Sequence, residues 1–509
     1  MLQTEHSVGA IAASAEPTAP TSGNVAGAQS LGAALVNSYA DLPARFYGAT
    51  AATPVGEPRL IKFNASLAAE LGLDTGLDAS TLAAVFSGNQ PVLGSQPIAM
   101  AYAGHQFGQF VPQLGDGRAL LLGEIVDRKG LRRDLQLKGS GRTVYSRGGD
   151  GRAAMGPVLR EYLVSEAMHA LGLPTTRALA AVATGESVFR EAAVPGAILT
   201  RVAASHVRVG TFQYFAARGD NEGTQLLADY VIGRHYPHLA SLANPYLELL
   251  RNVMQRHARL VAGWMAIGFI HGVMNTDNMA VSGETIDFGP CAFMDEYAPA
   301  TVFSSIDGRG RYAYGNQAAA AQWNLARFAE TLLPLIDANG HAVEMATGVI
   351  DEFSREFGNQ WLSGMRRKLG LFTEEDGDGA LIQGLLDIMQ RSHSDFTLTF
   401  RRLCAAAESE AADLALDAGW VREWRARFAR EPQPASEHAA LMRLVNPAFI
   451  PRNHRIEVVI VAAVEQENFA PFEELTQVLS RPYEEQPAFE DYAKPPQPEE
   501  RVLQTFCGT

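Results

Sequence analysis

The chain has 509 residues, 47% hydrophobic and 19% charged, which is enough to bury large cores and to form two or more domains or lobes. A formal net charge of -14 argues against generic binding to nucleic acid or to an anionic membrane surface. The three cysteines (Cys291, Cys404, Cys507) cannot build a disulfide framework, and neither a secretory leader nor a membrane-length apolar run is found, so the expected setting is cytoplasmic and reducing.

Residues 1–38 are rich in Ala, Ser, Gly, Thr and Pro and read as a disordered tail, with folded sequence starting near Leu42. Residues 119–126 and 134–138 read as two strands separated by a turn. Just before the first lies Gly115-Asp-Gly117-Arg118. Glycines there let a backbone approach a phosphate and Arg118 adds charge, although the motif alone also fits an ordinary hairpin turn. Lys138, one of only five lysines, closes the second strand. Residues 139–152 are dense in glycine and arginine (Arg142, Arg147, Arg152) and include Asp150 and Gly151. That composition suits an anion cradle, and equally a solvated loop. Residues 157–171 have helical spacing, with Pro157 in the first turn and Gly172 at the end. Glu161 on this helix is placed to pair with Lys138. Residues 178–190 read as a hairpin around Thr184-Gly185-Glu186, and 197–202 as another strand. Arg201 follows its apolar run and Arg208 comes seven residues later. Both can reach into a cleft to bind phosphate, or sit on the surface.

From residue 223 the pattern turns helical. A helix over 246–269 leads into His271-Gly-Val-Met-Asn-Thr-Asp-Asn278, followed by Ile286-Asp-Phe-Gly289. Further helices are predicted at 315–337, 340–370, 380–392 and 394–428. The acidic run 374–379 lacks the ligand spacing of a calcium loop and reads as a helix-start turn. The organisation expected is a tail (1–38), an N-lobe (39–205), a helical C-lobe (206–480) and an extended Pro- and Glu-rich tail (481–509) ending near Cys507.

The two loop motifs are laid out like a kinase catalytic loop followed by a metal-binding Asp-Phe-Gly, so the fold class predicted is α+β, a protein-kinase-like two-lobe arrangement. One residue departs from that layout. Val273 stands where such enzymes carry an Asp base, and valine cannot accept a proton. Asn278 and Asp287 offer hard oxygen ligands for Mg²⁺ beside phosphate oxygens. Asp277 is the nearest carboxylate able to replace the missing base, and His271 reads as a support for the loop. No P-loop, His-Glu-x-x-His or Gly-x-Ser-x-Gly occurs.

Together with Tyr102-Ala-Gly-His-Gln-Phe-Gly-Gln-Phe, Leu114-Gly-Asp-Gly-Arg118, Gln136-Leu-Lys-Gly-Ser-Gly-Arg142, Leu159-Arg-Glu-Tyr and Tyr314-Gly-Asn-Gln, these motifs resemble the selenoprotein O (YdiU) family over nearly the whole folded chain. The resemblance implies an adenylyltransferase with a kinase-like fold. Such an enzyme binds ATP in a flipped orientation and moves AMP to Ser, Thr or Tyr hydroxyls of proteins. By matching positions it implies ATP binding by Gly115, Gly117, Arg118, Lys138, Asp150, Gly151, Arg201, Arg208 and Asp287. It implies Mg²⁺ (with Mn²⁺ as the alternative) on Asn278 and Asp287, and Asp277 as proton acceptor. It also implies a reversible Cys291–Cys507 disulfide that ties down the tail. Nucleic acid and membrane are not expected partners. Two other readings stay open on the residues alone: a kinase-type phosphotransferase using Asp277, and an inactive nucleotide-binding pseudokinase.

Overall fold

The computed structural model describes residues 27–409 and 414–506. In the N-terminal half the strands are β1 (Tyr47–Ala49), β2 (Arg59–Phe63), β3 (Ile98–Met100), β4 (Gly104–Gln106), β5 (Gln109–Val111), β6 (Ala119–Val126), β7 (Arg132–Lys138), β8 (Ala153–Ala154), β9 (Arg177–Phe189) and β10 (Ala193–Ala203). β4 and β5 pair with each other. The others form one antiparallel sheet in the order β1-β3-β6-β7-β10-β9-β2, with β8 beside β10.

Successive strand side chains point to opposite faces, and the sequence of β7 uses this directly. Leu135 and Leu137 enter an apolar cluster with Val182, Ile198 and Val202, covered by α1 (Ala65–Leu71) and α2 (Ala79–Phe86). Gln136 and Lys138 are left on the other face, where Arg201 of β10 lies opposite Gln136 in register. That face is packed by α3 (Met155–Ala170), whose buried residues include Glu161. Asn64 and Asp78 cap α1 and α2 by accepting backbone N–H groups of the first turn.

Two N-terminal expectations change. Leu31 and Leu35 are buried in the α1–α2 cluster, so residues 27–38 belong to the folded chain, while 1–26 lie outside the described residues. Burying two leucines outweighs the polar composition around them, at about 1.5–3 kcal/mol each. The hairpin expected at Thr184-Gly185-Glu186 is absent. β9 runs through that point and turns at residues 190–192, and Gly185 (φ +72°) lies opposite a register shift between Pro195 and Ala197. The glycine signal marks a bulge, not a turn.

The C-terminal half is helical: α4 (Val209–Ala216), α5 (Asn221–His235), α6 (Pro245–Ala266), α7 (Gln317–Ile336), α8 (Ala342–Lys368), α9 (Asp378–Arg391), α10 (Phe396–Glu408), α11 (Ala418–Phe428), α12 (Ala435–Arg443), α13 (Asn453–Gln466) and α14 (Ala470–Leu479). The single helix expected over 394–428 is therefore two, each started by an Asp N-cap (Asp395, Asp417). Helices α6 to α8 share a core with α3 and the sheet, and α13 and α14 return to pack on α3, where Tyr162 meets Phe472 edge-on at 5.4 Å. A second cluster joins α9–α12 around Trp420 and Trp424. Short strands β11 (Phe269–Ile270) and β12 (Ala292–Phe293) pair with each other, bracketing the two loop motifs. The C-terminal segment is mostly irregular, with short 3-10 turns, and Thr505 pairs with the backbone of residues 303–305. Among the described residues no helix is long and apolar enough to cross a membrane.

Candidate active site

A cleft of about 720 Å³ opens between the polar face of β6, β7 and β10 and the loops between β11 and β12. At its base four charged side chains from four elements interlock. Lys138 Nζ lies 2.6 Å from Glu161 Oε2 and 3.0 Å from Asp287 Oδ1. Arg201 reaches the same two carboxylates, with Nε 2.5 Å from Glu161 Oε1 and Nη2 3.0 Å from Asp287 Oδ1. Burial opposes ionisation of Asp287, but Lys138 and then Arg201 outweigh it and hold the carboxyl well below the usual range. Glu161 behaves alike: burial pushes it up, while Arg201 and Lys138 bring it below its ordinary value. Both acids are thus ionised at neutral pH, fixed to two cations.

The loop after β11 forms the opposite wall. His271 is buried and held neutral by burial; its Nε2 is 2.9 Å from Ile286 O, and the Val273 N–H lies 3.4 Å from its Nδ1. With Nε2–H donating and Nδ1 accepting, the ring ties the two loop motifs together and has no free nitrogen for proton transfer. Val273 lines the cleft, and its carbonyl accepts from Asn278 Nδ2 at 3.0 Å, while Asn278 Oδ1 takes no hydrogen bond among the described residues. Both cations contact Asp287 Oδ1, and its Oδ2 accepts no hydrogen bond among the described residues. Asp277 is buried; its Oδ1 has no hydrogen-bond partner among the described residues and its Oδ2 accepts from Gln106 at 3.4 Å. Burial pushes its carboxyl up to about 6, against the pull of Arg208, so it holds a proton far more strongly than Asp287 does.

The sequence expectations assigned no role to the hairpin of β4 and β5, yet it seats this loop. His105 N–H donates to Thr276 Oγ1 at 2.6 Å and Phe107 N–H to Asn275 Oδ1 at 2.9 Å. A Cβ on Gly104 would come within 2.5 Å of Asp277 Oδ1, so only glycine allows the approach. The signal was present in the quoted motif, whose Gly104 and Gly108 bracket three residues that touch the loop. Asp116 was also missed. Buried between the two glycines, it accepts from Met100 N–H at 3.1 Å and faces Arg208 at 3.7 Å. Arg208 also donates to Asp277 O at 3.0 Å and stacks over Tyr102 at 4.5 Å.

Gly115, Gly117 and Arg118 line the cleft, and the glycines make room for a loop: a Cβ on Gly115 would meet the Tyr145 ring at 2.2 Å. Asp150 and Gly151 line the outer part. Asp150 is exposed and paired with Arg190 at 2.9 Å. Counting its wall, the cleft presents seven arginines and Lys138 against four aspartates, in a protein whose formal charge is -14. Such local positive excess selects a polyanion. Cys291 is buried, and burial pushes its thiol up to about 12. Cys507 lies outside the described residues.

The family model "Protein adenylyltransferase SelO" matches residues 30–480. The chain belongs to this family. Its relatives include "Protein nucleotidyltransferase YdiU" of Rhizobium rhizogenes, 63% identical over 93% of this chain and 96% of the relative. The protein of the same name from Rhizobium meliloti is 63% identical over 93% and 99%, and that from a Bradyrhizobium species 62% over 93% and 98%. The chain is accordingly a nucleotidyltransferase, and a nucleotide is its substrate.

Proposed function

We propose that the chain transfers AMP from ATP to Ser, Thr or Tyr hydroxyls of other proteins, on a kinase-like two-lobe fold that holds the triphosphate reversed. The observation that carries this reading is the separation of two carboxylates. Asp287 is ionised and gripped by Lys138 and Arg201, while Asp277 has an unpartnered oxygen and a raised pKa. The first suits binding of metal and phosphate, the second suits proton transfer. In the reaction the acceptor oxygen attacks the α-phosphorus, its proton passes to Asp277, the bond from that phosphorus to the bridging oxygen breaks, and pyrophosphate leaves. Arg118, Lys138, Arg201 and Arg208 would stabilise charge on the departing phosphates, and Gly115, Gly117, Asp150 and Gly151 would border the nucleotide.

Asn278 Oδ1 and Asp287 Oδ2 are hard oxygens without hydrogen-bond partners among the described residues, a donor pair that fits Mg²⁺, or Mn²⁺, with phosphate and water completing the shell. When bound, the ion neutralises phosphate charge. With the proton acceptor at Asp277, Val273 needs no chemistry. The tail supports a regulatory reading too. Thr505 Oγ1 donates to Pro290 O at 2.6 Å, one residue before Cys291, so a Cys291–Cys507 disulfide would fasten an existing contact. Its reactive partner would be Cys507, since the buried Cys291 thiol resists ionisation. Equal activity with and without reductant, in wild type and Cys507→Ser alike, would discard that switch.

The main test is intact-mass analysis of the chain and a candidate acceptor protein after incubation with ATP and Mg²⁺. A gain of AMP with release of pyrophosphate is expected. A gain of phosphate, or labelling from the γ-position, would replace this reading by a phosphotransferase. Nucleotide binding without any transfer would leave a pseudokinase.

A further inference from the structure

Next to the loop, but outside the nucleotide cleft, lies a compact group of aromatic and basic side chains. Trp323 of α7 has the Arg311 guanidinium 4.7 Å from its ring centre and that of Arg327 at 5.1 Å. His105 meets Trp323 edge-on at 5.2 Å, and Phe110 packs on His105 at 4.9 Å. Phe110 is exposed, and His105, Arg311, Trp323 and Arg327 are half-buried, so the group forms part of the surface.

Its charge is poorly matched. Arg311 has no ion pair among the described residues, and its Nε has no hydrogen-bond partner. Among the described residues Arg327 pairs only with the exposed Glu330, one helical turn on, at 2.6 Å, and its buried Nε has no partner. Arg311 thus carries a charge with no carboxylate partner among the described residues, and Arg327 one whose carboxylate partner is an exposed side chain. Trp and Arg in such company are the residue types that dominate binding energy at protein interfaces.

Position supplies the rest of the argument. The cleft wall includes Gln106, Phe107 and Ile306 but none of these five side chains, so the patch is not part of the phosphate pocket. It is nevertheless fixed to the same loop. His105 donates its N–H to Thr276, Tyr312 (next to Arg311) donates its hydroxyl to Asn275 Oδ1 at 2.9 Å, and both acceptors lie within two residues of Asp277. A chain docked on the patch would lie beside the loop that carries Asp277.

We propose that this patch is the docking surface for an acidic segment of the acceptor protein, with carboxylates on Arg311 and Arg327 and an apolar or aromatic side chain against Trp323 and Phe110. The proposal rests on the transfer reading above and adds the kind of partner. Acidic chemistry follows from Arg311, which has no ion pair among the described residues, and from Arg327, whose exposed partner Glu330 can be exchanged for an incoming carboxylate; a basic partner would be repelled.

The test is binding, read without turnover. A short fluorescent peptide with one Thr between runs of Glu, and its Gln counterpart, are titrated by anisotropy onto the full chain with Mg²⁺ and a non-hydrolysable ATP analogue. The Glu peptide is expected to bind about tenfold more tightly, with a preference that weakens as salt rises. Arg311→Gln with Arg327→Gln is expected to erase the preference while the affinity for the ATP analogue stays the same. Should the double variant fail to fold, Arg327→Gln alone, whose guanidinium pairs with the exposed Glu330 one helical turn on, is expected to reduce the preference severalfold. Equal binding of the two peptides to wild type, no binding of either, an undiminished preference in the variants, or a parallel fall in nucleotide affinity would each overturn the proposal. Failure to transfer AMP would show separately, in the mass experiment, and leaves this binding test readable.

Discussion

Asp287 sits at φ +67°, a backbone region that non-glycine residues occupy at a cost of about 1–3 kcal/mol. The strain is offset by the two cations on its Oδ1, which is why Lys138 and Arg201 matter to stability as well as to binding. Lys138→Met would leave the buried Glu161 and the half-buried Asp287 with one cation between them. Unfolding free energy is expected to fall by about 3–5 kcal/mol, and nucleotide binding should be lost; a urea titration and an ATP-binding isotherm check both, and an unchanged midpoint would show that the quartet is not cohesive. Asp277→Asn differs because Oδ1 has no partner to lose. It is expected to keep nucleotide affinity and stability while the rate of transfer drops by about 10²–10⁴. A loss of ATP affinity of similar size would instead make Asp277 a binding residue. The pairing of Lys138 with Glu161 was legible because both lie on elements with clear periodicity: the alternation of β7 fixes which face Lys138 shares with Gln136, and the turn spacing of α3 presents Glu161 to it, whereas Arg201 was left open between cleft and surface. Asp116 had no such signal. A lone Asp between two glycines reads as a turn residue, and only the fold shows that it faces Arg208.

At the scale of elements, the hairpin of β4 and β5 carries the least legible part of the site. Its strands are three residues long, too short for alternation to register, and its bonds run to a loop some 170 positions away. The contact is nonetheless tight, so a methyl group at position 104 should be felt in the chemistry before it is felt in the fold. Gly104→Ala would press on Asp277 Oδ1 and move the carboxylate by a fraction of an ångström to an ångström. Displacements of that order cost about 10²-fold in rate. The expected result is a kcat lowered by roughly 10–10² with KM for ATP unchanged; a variant as active as wild type would mean that the hairpin does not set the position of Asp277. Two further elements were misread for related reasons. Gly185 carries a turn signal but sits at a bulge inside β9, and the apolar run over 394–428 hides an Asp417 N-cap that starts a new helix. The leucines at 31 and 35 are buried through contacts with α1 and α2, which no local composition announces.

Across the whole molecule one core spans both halves, since α13 and α14 close onto α3 beneath the sheet and α6 contributes to the same cluster. A shared core makes its buried titratable groups report on global stability. His257 of α6 is buried with Nδ1 2.9 Å from Val253 O, and burial depresses its pKa from 6.5 to about 4. His235 is lowered to about 3, by burial first and then by Arg234. In the unfolded chain both take up protons near the ordinary value of 6.5, so between that pH and their folded values the unfolded state binds more protons. Stability is therefore complete above pH 6.5 and is lost as pH falls toward about 4 and then about 3. Each pH unit in that window removes about 1.4 kcal/mol per histidine, so moving from pH 6.5 to 5 should cost about 2 kcal/mol for His257 alone. The paired carboxylates act in the opposite sense of charge but the same direction. Asp287 and Glu161 are held below their ordinary values, and their contribution fades only under more acid conditions, so the two groups separate on the pH axis. Urea unfolding of the full chain at neutral pH and at pH 5, for wild type and His257→Met, measures the histidine part. Met fills the same apolar site without titrating, so its stability should fall less between the two conditions, by about 2 kcal/mol. Identical pH slopes for the two chains would show that His257 is already protonated in the fold, and with it that the core of α6 is open to water.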